Sequence, residues 1–96
     1  MSKVEVVYSG LIRTAAACTT DIYEVAPDAT VHDLFKEIIR RHGDAVRRYL
    51  FSDDCLKLAP GAAVFKDGYS IRNLNTTLSD QQKIKVVVLS PMMIGG

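Results

Sequence analysis

The chain has 96 residues, 48% hydrophobic and 24% charged, with a formal net charge of +1 and a pI of about 7.8. That length suits one small domain burying roughly 60–65% of its unfolded surface, enough for one core but not for a deep enclosed active site. Near-neutral charge gives no electrostatic case for nucleic acid or an acidic membrane surface. No apolar stretch approaches the ~20 residues that span a bilayer. Met1-Ser2-Lys3 runs into a strand pattern without an apolar signal region, so a soluble, cytoplasmic protein is expected. Cys18 and Cys55 lack a Cys-x-x-Cys partner and read as free thiols. Together with His32 and His42 they do not offer four zinc ligands at suitable spacing, and no metal is expected.

In chain order, Val4-Glu5-Val6-Val7-Tyr8 alternates and is rich in β-formers, which predicts a half-buried strand. Ser9-Gly10 breaks it, and Thr20–Val25 reads as a second strand. Residues 11–19 are then a long hairpin connection, because Ala15-Ala16-Ala17 is too short to nucleate a helix alone. The spacing predicts a helix over Val31–His42, with Thr30 as N-cap and Asp33 three residues on as the capping-box acid. Val31, Leu34, Phe35, Ile38, Ile39 and His42 share one face of it. Arg40, Arg41 and Gly43 supply a cationic last turn and a terminating glycine. Glu37 and Arg41 form an i, i+4 pair. His42 reads as a capping or half-buried side chain, and His32 receives no role.

A short second helix is expected over residues 44–51, with Val46 and Leu50 inward and Arg47-Arg48 solvated. Residues 52–61 form a polar loop ending in Pro60-Gly61. Ala62–Lys66 and Tyr69–Ile71 read as strands joined by a tight Asp67-Gly68 turn. Leu78 plugs the core from a loop. Residues 83–89 are nearly continuous in apolar residues, which predicts a central strand with both faces at least partly covered. The order gives an α+β roll: a mixed sheet of four to five strands packed on one main helix, with the first and last strands paired in the middle.

Ser90-Pro91 marks where the last strand ends, since proline offers no N–H to a ladder. Residues 1–90 are read as the domain and residues 91–96 as an extended tail ending in Gly95-Gly96. Two terminal glycines are expected by chance in about one chain in two hundred. Fully stretched, Ser90 to Gly96 reaches on the order of 20 Å. An α-carboxyl with a reference pKa of about 3.3–3.7 is anionic at neutral pH and a usable nucleophile toward a nucleotide α-phosphate. Glycines let such an end pass through a narrow channel. With Val4, Val6, Ile84, Val86 and Val88 toward the helix, alternation places Val7, Val87 and Leu89 on the opposite face. Together with Met92, Met93 and Ile94 they form an exposed apolar patch of the kind that binds a partner.

Four stretches carry a resemblance that covers nearly the whole chain. They are Tyr8-Ser9-Gly10-Leu11-Ile12-Arg13, Ala29-Thr30-Val31-His32-Asp33-Leu34, Pro60-Gly61-Ala62-Ala63-Val64 with Asp67-Gly68, and Ser90-Pro91-Met92-Met93-Ile94-Gly95-Gly96. In that order they resemble the ubiquitin-like (β-grasp) sulfur-carrier proteins, which include the small subunit of molybdopterin synthase, the thiamine-pathway and cysteine-pathway carriers, and the ubiquitin-related modifiers. Two departures stand out. Gln81-Gln82 occupies the place of the family's Gly-Asp before the last strand, and Met92 stands where many members have a second proline.

The resemblance implies a carrier with no catalytic residues of its own and no bound cofactor. A ubiquitin-activating-type adenylyltransferase would use ATP and magnesium to adenylate the Gly96 carboxylate, with Gly95 giving access. A sulfur donor would convert the acyl-adenylate to a thiocarboxylate, and a sulfur-accepting synthase subunit or enzyme would receive the sulfur, the molybdopterin type being favoured. Two alternatives stand beside it: a modifier joined through Gly96 to lysines, and an interaction domain whose Gly-Gly is incidental. No nucleophile–base pair or paired carboxylates emerge to support a stand-alone enzyme.

Overall fold

The computed structural model describes residues 1–51 and 57–88. Gly95, Gly96, Met92, Met93, Ile94, Leu89 and Cys55, all singled out above, lie outside the described residues, as does the boundary at residue 90.

The alternating N-terminal stretch is β1 (Ser2–Gly10), longer at both ends than its apolar core. It is followed by α1 (Leu11–Ala16), β2 (Thr20–Val25), α2 (Val31–His42), α3 (Asp44–Leu50), β3 (Ala62–Lys66), β4 (Tyr69–Ile71) and β5 (Gln82–Val88). The five strands form one mixed sheet in the order β2-β1-β5-β3-β4. β1 and β5 are parallel and central, with Val6 opposite Ile84 and Gly10 opposite Val88. Both outer pairs, β1 with β2 and β3 with β4, are antiparallel. Asp67 and Gly68, with φ of 52° and 85°, make the β3–β4 turn, the paired left-handed geometry that suits strand twist.

α2 follows the sequence reading closely. The Thr30 side chain accepts from the Asp33 N–H at 3.3 Å, while Asp33 accepts from the Thr30 N–H at 3.0 Å, closing a capping box. Val31, Leu34, Phe35 and Ile38 are fully buried against the sheet. The Gly43 N–H caps the Ile39 carbonyl at the other end. Val4, Val6, Tyr8, Ile84, Val86 and Val88 supply the contribution of the two central strands to this core, and Leu74 and Leu78 close it from the loop before β5. The expected placement of Leu78, Val46 and Leu50 is borne out.

Three expectations are corrected. Residues 11–19 are not a plain hairpin connection: Leu11–Ala16 forms a helix that buries Ile12 and Ala16 against β1, β5 and α3. Its stability comes from tertiary packing rather than from alanine propensity. Glu37 pairs with Arg40 at 2.7 Å, one residue short of the expected partner, while Arg41 reaches across to Asp21 on β2. β5 is central, but among the described residues its second face is covered only at Val87, less than the near-continuous apolar run implies. Its burial alternates strictly, leaving Lys83 and Lys85 exposed and Val87 half-buried. His32, given no role above, lies against Phe51 with ring centroids 5.1 Å apart.

Candidate functional site

Two regions of the described chain carry features that the hydrophobic core does not require. The first is the open face of the sheet. Alternation in β1 and β5 places Val7 and Val87 there, on adjacent parallel strands and two residues apart in register, since Val7 lies opposite Lys85 and Ser9 opposite Val87. Phe65 and Ala63 of β3 join them, paired with Lys85 and Val87. Ile22 of β2, 53% exposed, continues the face past Glu5. Sequence reasoning found Val7 and Val87 by period alone. It missed Ile22, Ala63 and Phe65, because their place beside those valines depends on strand order. The signal was available in the outward positions of each strand, read together.

Charge borders this strip. Lys83 and Lys85 project from β5, with the Lys83 ammonium 3.9 Å from Glu5. Phe65, Gly68, Lys83 and Lys85 line a shallow open depression of about 450 Å³. The strip is amphipathic and, among the described residues, runs as far as the Val88 end of β5. Such a surface suits docking, not chemistry.

The second region is a polar cluster on the helix side of the sheet, near the Gly10–Val88 end. Asp21 points inward from β2, and its Oδ2 accepts from the Tyr8 hydroxyl at 2.7 Å and the Tyr23 hydroxyl at 3.0 Å. His42 Nε2, at the end of α2, lies 2.6 Å from the same oxygen. Oδ1 faces the Cys18 thiol at 3.7 Å and Arg41 at 3.4 Å, and the Arg41 guanidinium sits 4.1 Å above the Tyr23 ring. Burial pushes the Asp21 carboxyl up, but hydrogen bonds from His42, Tyr8 and Tyr23 outweigh it and hold the group at about 2. Burial and the neighbouring Asp21 raise the Cys18 thiol. The Tyr23 hydroxyl is pushed up to about 12 by burial and Asp21, and Tyr8 is raised well above its ordinary range by burial and by its bonds to Tyr23 and Asp21. Neither phenol is a base at neutral pH. An acid at an inward strand position and a histidine on a helix's apolar face were the readable signs of this cluster.

Among solved structures, the modifier protein SAMP1 from Haloferax volcanii superposes with a TM-score of 0.82 over 94% of this chain and 98% of its own, at 20% identity. The fold is the ubiquitin-like β-grasp. A protein described as a candidate molybdopterin converting factor, subunit 1, from Pyrococcus furiosus superposes with a TM-score of 0.72 at 22% identity, covering 94% of this chain and all of the other. Urm1 from Trypanosoma brucei gives 0.77 at 14% identity, with 94% of each chain covered. No protein-family profile matches the chain, and no curated protein matches it in sequence. The structural likeness bears out the resemblance read from the four sequence stretches at the level of architecture. No helix among the described residues is long and apolar enough to cross a membrane.

Proposed function

We propose that this protein is a β-grasp sulfur carrier, acted on by an adenylyltransferase and not itself a catalyst. The observation that carries this reading is the open sheet face, where Val7, Val87, Ala63 and Phe65 form an apolar strip leading to the end of β5. The sequence continues directly from that strand into Leu89 and the Met92-Met93-Ile94-Gly95-Gly96 segment. An enzyme that grips the strip, with Leu89, Met92, Met93 and Ile94 extending the grip, has the Gly96 carboxylate within reach.

The chemistry then follows from the carboxylate. It attacks the α-phosphate of ATP held with magnesium by the partner, releasing pyrophosphate and forming an acyl-adenylate. A sulfur donor displaces AMP and leaves a thiocarboxylate, whose sulfur passes to a biosynthetic acceptor. Among acceptors we favour a molybdopterin-type synthase, in keeping with the architecture shared with the Pyrococcus furiosus protein. A second reading has its own support: the structural likeness to SAMP1, an archaeal modifier, favours attachment of Gly96 to lysines of other proteins.

Intact mass of the protein isolated from its source tests both. One terminal oxygen replaced by sulfur supports the carrier, and adducts of Gly96 on other proteins support the modifier. Unchanged activity after deletion of Gly95-Gly96 rejects the two together and leaves an interaction domain.

A further inference from the structure

We propose that Cys18, Asp21 and His42 form a binding site for a thiophilic divalent cation, zinc being the best match. Nothing in the spacing of the three residues points to it, because they follow no zinc-ligand pattern. The fold brings them together from the turn after α1, from β2 and from the last turn of α2. One donor atom from each lies within 4.8 Å of the other two. With Zn–S near 2.3 Å and Zn–N and Zn–O near 2.0 Å, neighbouring ligand atoms of a tetrahedral site are roughly 3.3–3.6 Å apart. Cys18 Sγ and Asp21 Oδ1 are already at 3.7 Å. His42 Nε2 lies 2.6 Å from Oδ2, so the imidazole and the carboxylate move apart slightly to admit an ion between them.

The donor set selects the ion. Thiolate, imidazole and carboxylate together suit zinc, whereas magnesium and calcium require oxygen ligands throughout. Thiolate and carboxylate balance the dication, and the fourth position is left to water. The tyrosines act as the outer shell: both hydroxyls donate to Oδ2, which fixes the carboxylate plane and leaves Oδ1 facing the thiol. Arg41 is the competitor. Its guanidinium lies 3.4 Å from Oδ1, but its side chain is 44% exposed and retains the Tyr23 ring as a resting place. Binding releases the Cys18 thiol proton to solvent and replaces the direct His42–Asp21 contact with a shared ion. The proposal is independent of the carrier reading and concerns the opposite side of the sheet.

Full-length reduced protein, stripped by chelator, is titrated with zinc by calorimetry and with cobalt as an optical reporter. The expected result is one equivalent bound, with a thiolate-to-cobalt charge-transfer band that disappears in Cys18→Ser and persists in Cys55→Ser. His42→Gln is expected to weaken binding by at least about tenfold, because losing a ligand costs no less than losing an outer-shell partner. Zinc is also expected to slow alkylation of Cys18 in the unmodified protein, a readout that does not depend on any variant folding. No saturable uptake, a band that survives Cys18→Ser, or a Cys18 alkylation rate indifferent to zinc would each overturn the proposal.

Discussion

Asp21→Asn separates the charge of the inward carboxylate from its shape. The Asp21 side chain is 13% exposed, and the three hydrogen bonds converging on Oδ2 lower its carboxyl from an ordinary 3.8 to about 2. A depression of this size corresponds to about 2 kcal/mol of stability, at about 1.4 kcal/mol per pKa unit. The sign follows from the direction: the folded value lies below the unfolded one, so this contribution is fully present above about pH 4. It is lost as pH falls through the folded value near 2. Asparagine keeps the volume but cannot ionise, so the variant is expected to be less stable by about 2 kcal/mol at neutral pH, or about 10–15 °C in Tm for a domain of this size. Urea unfolding of both proteins followed by circular dichroism from pH 7 downward should show the gap closing below about pH 4. A gap under about 0.5 kcal/mol at pH 7, or one that stays constant down to about pH 3, would refute the reasoning.

Three further outcomes are expected. Gly10→Ala places a Cβ 2.1 Å from the Val88 carbonyl oxygen at a φ of 77°, so equilibrium unfolding should show a loss of about 3 kcal/mol or more, and a loss below about 1 would contradict the close approach. Gln81 holds a left-handed φ of 61° at the turn into β5, so Gln81→Gly should raise stability by about 1 kcal/mol in the same assay. Val87→Asp on the open face should cost about 1 kcal/mol or less in stability while sharply reducing the rate of adenylation by a partner enzyme. Wild-type adenylation rates for that variant would remove Val87 from the docking face.

The parts of the fold that were readable in the sequence are those set by local rules. Thr30, Asp33 and the 3.6-residue recurrence from Val31 to Ile38 specify α2 without reference to the rest of the chain. Asp67-Gly68 specifies its hairpin in the same way. α1 was hidden because six residues cannot hold a helix by propensity, and Ile12 and Ala16 acquire their burial only once β5 and α3 are in place. The run Val86-Val87-Val88 obscured the alternation of β5, though Lys83 and Lys85 already marked its outward positions. The Asp21 cluster joins positions 8, 18, 21, 23 and 42, and no periodicity links a strand, a turn and a helix end across that distance. Gln81 shows the reverse case: its departure from glycine was visible in the sequence, and the structure supplies the φ that makes it matter.

The parallel pairing of β1 with β5 also governs the order in which this chain can fold. The β1–β2 pair and α2 draw on neighbouring sequence, but the centre of the sheet stays open until residues 82–88 meet residues 4–10. Closing so long a loop is entropically costly and is repaid only when the whole ladder and the core beneath it form together. Assembly is therefore expected to be cooperative, late and in the slower range for a domain of this size. The strand that precedes the Gly-Gly segment is the one that completes the fold, so a chain able to offer that segment from an ordered strand is one whose core has already closed.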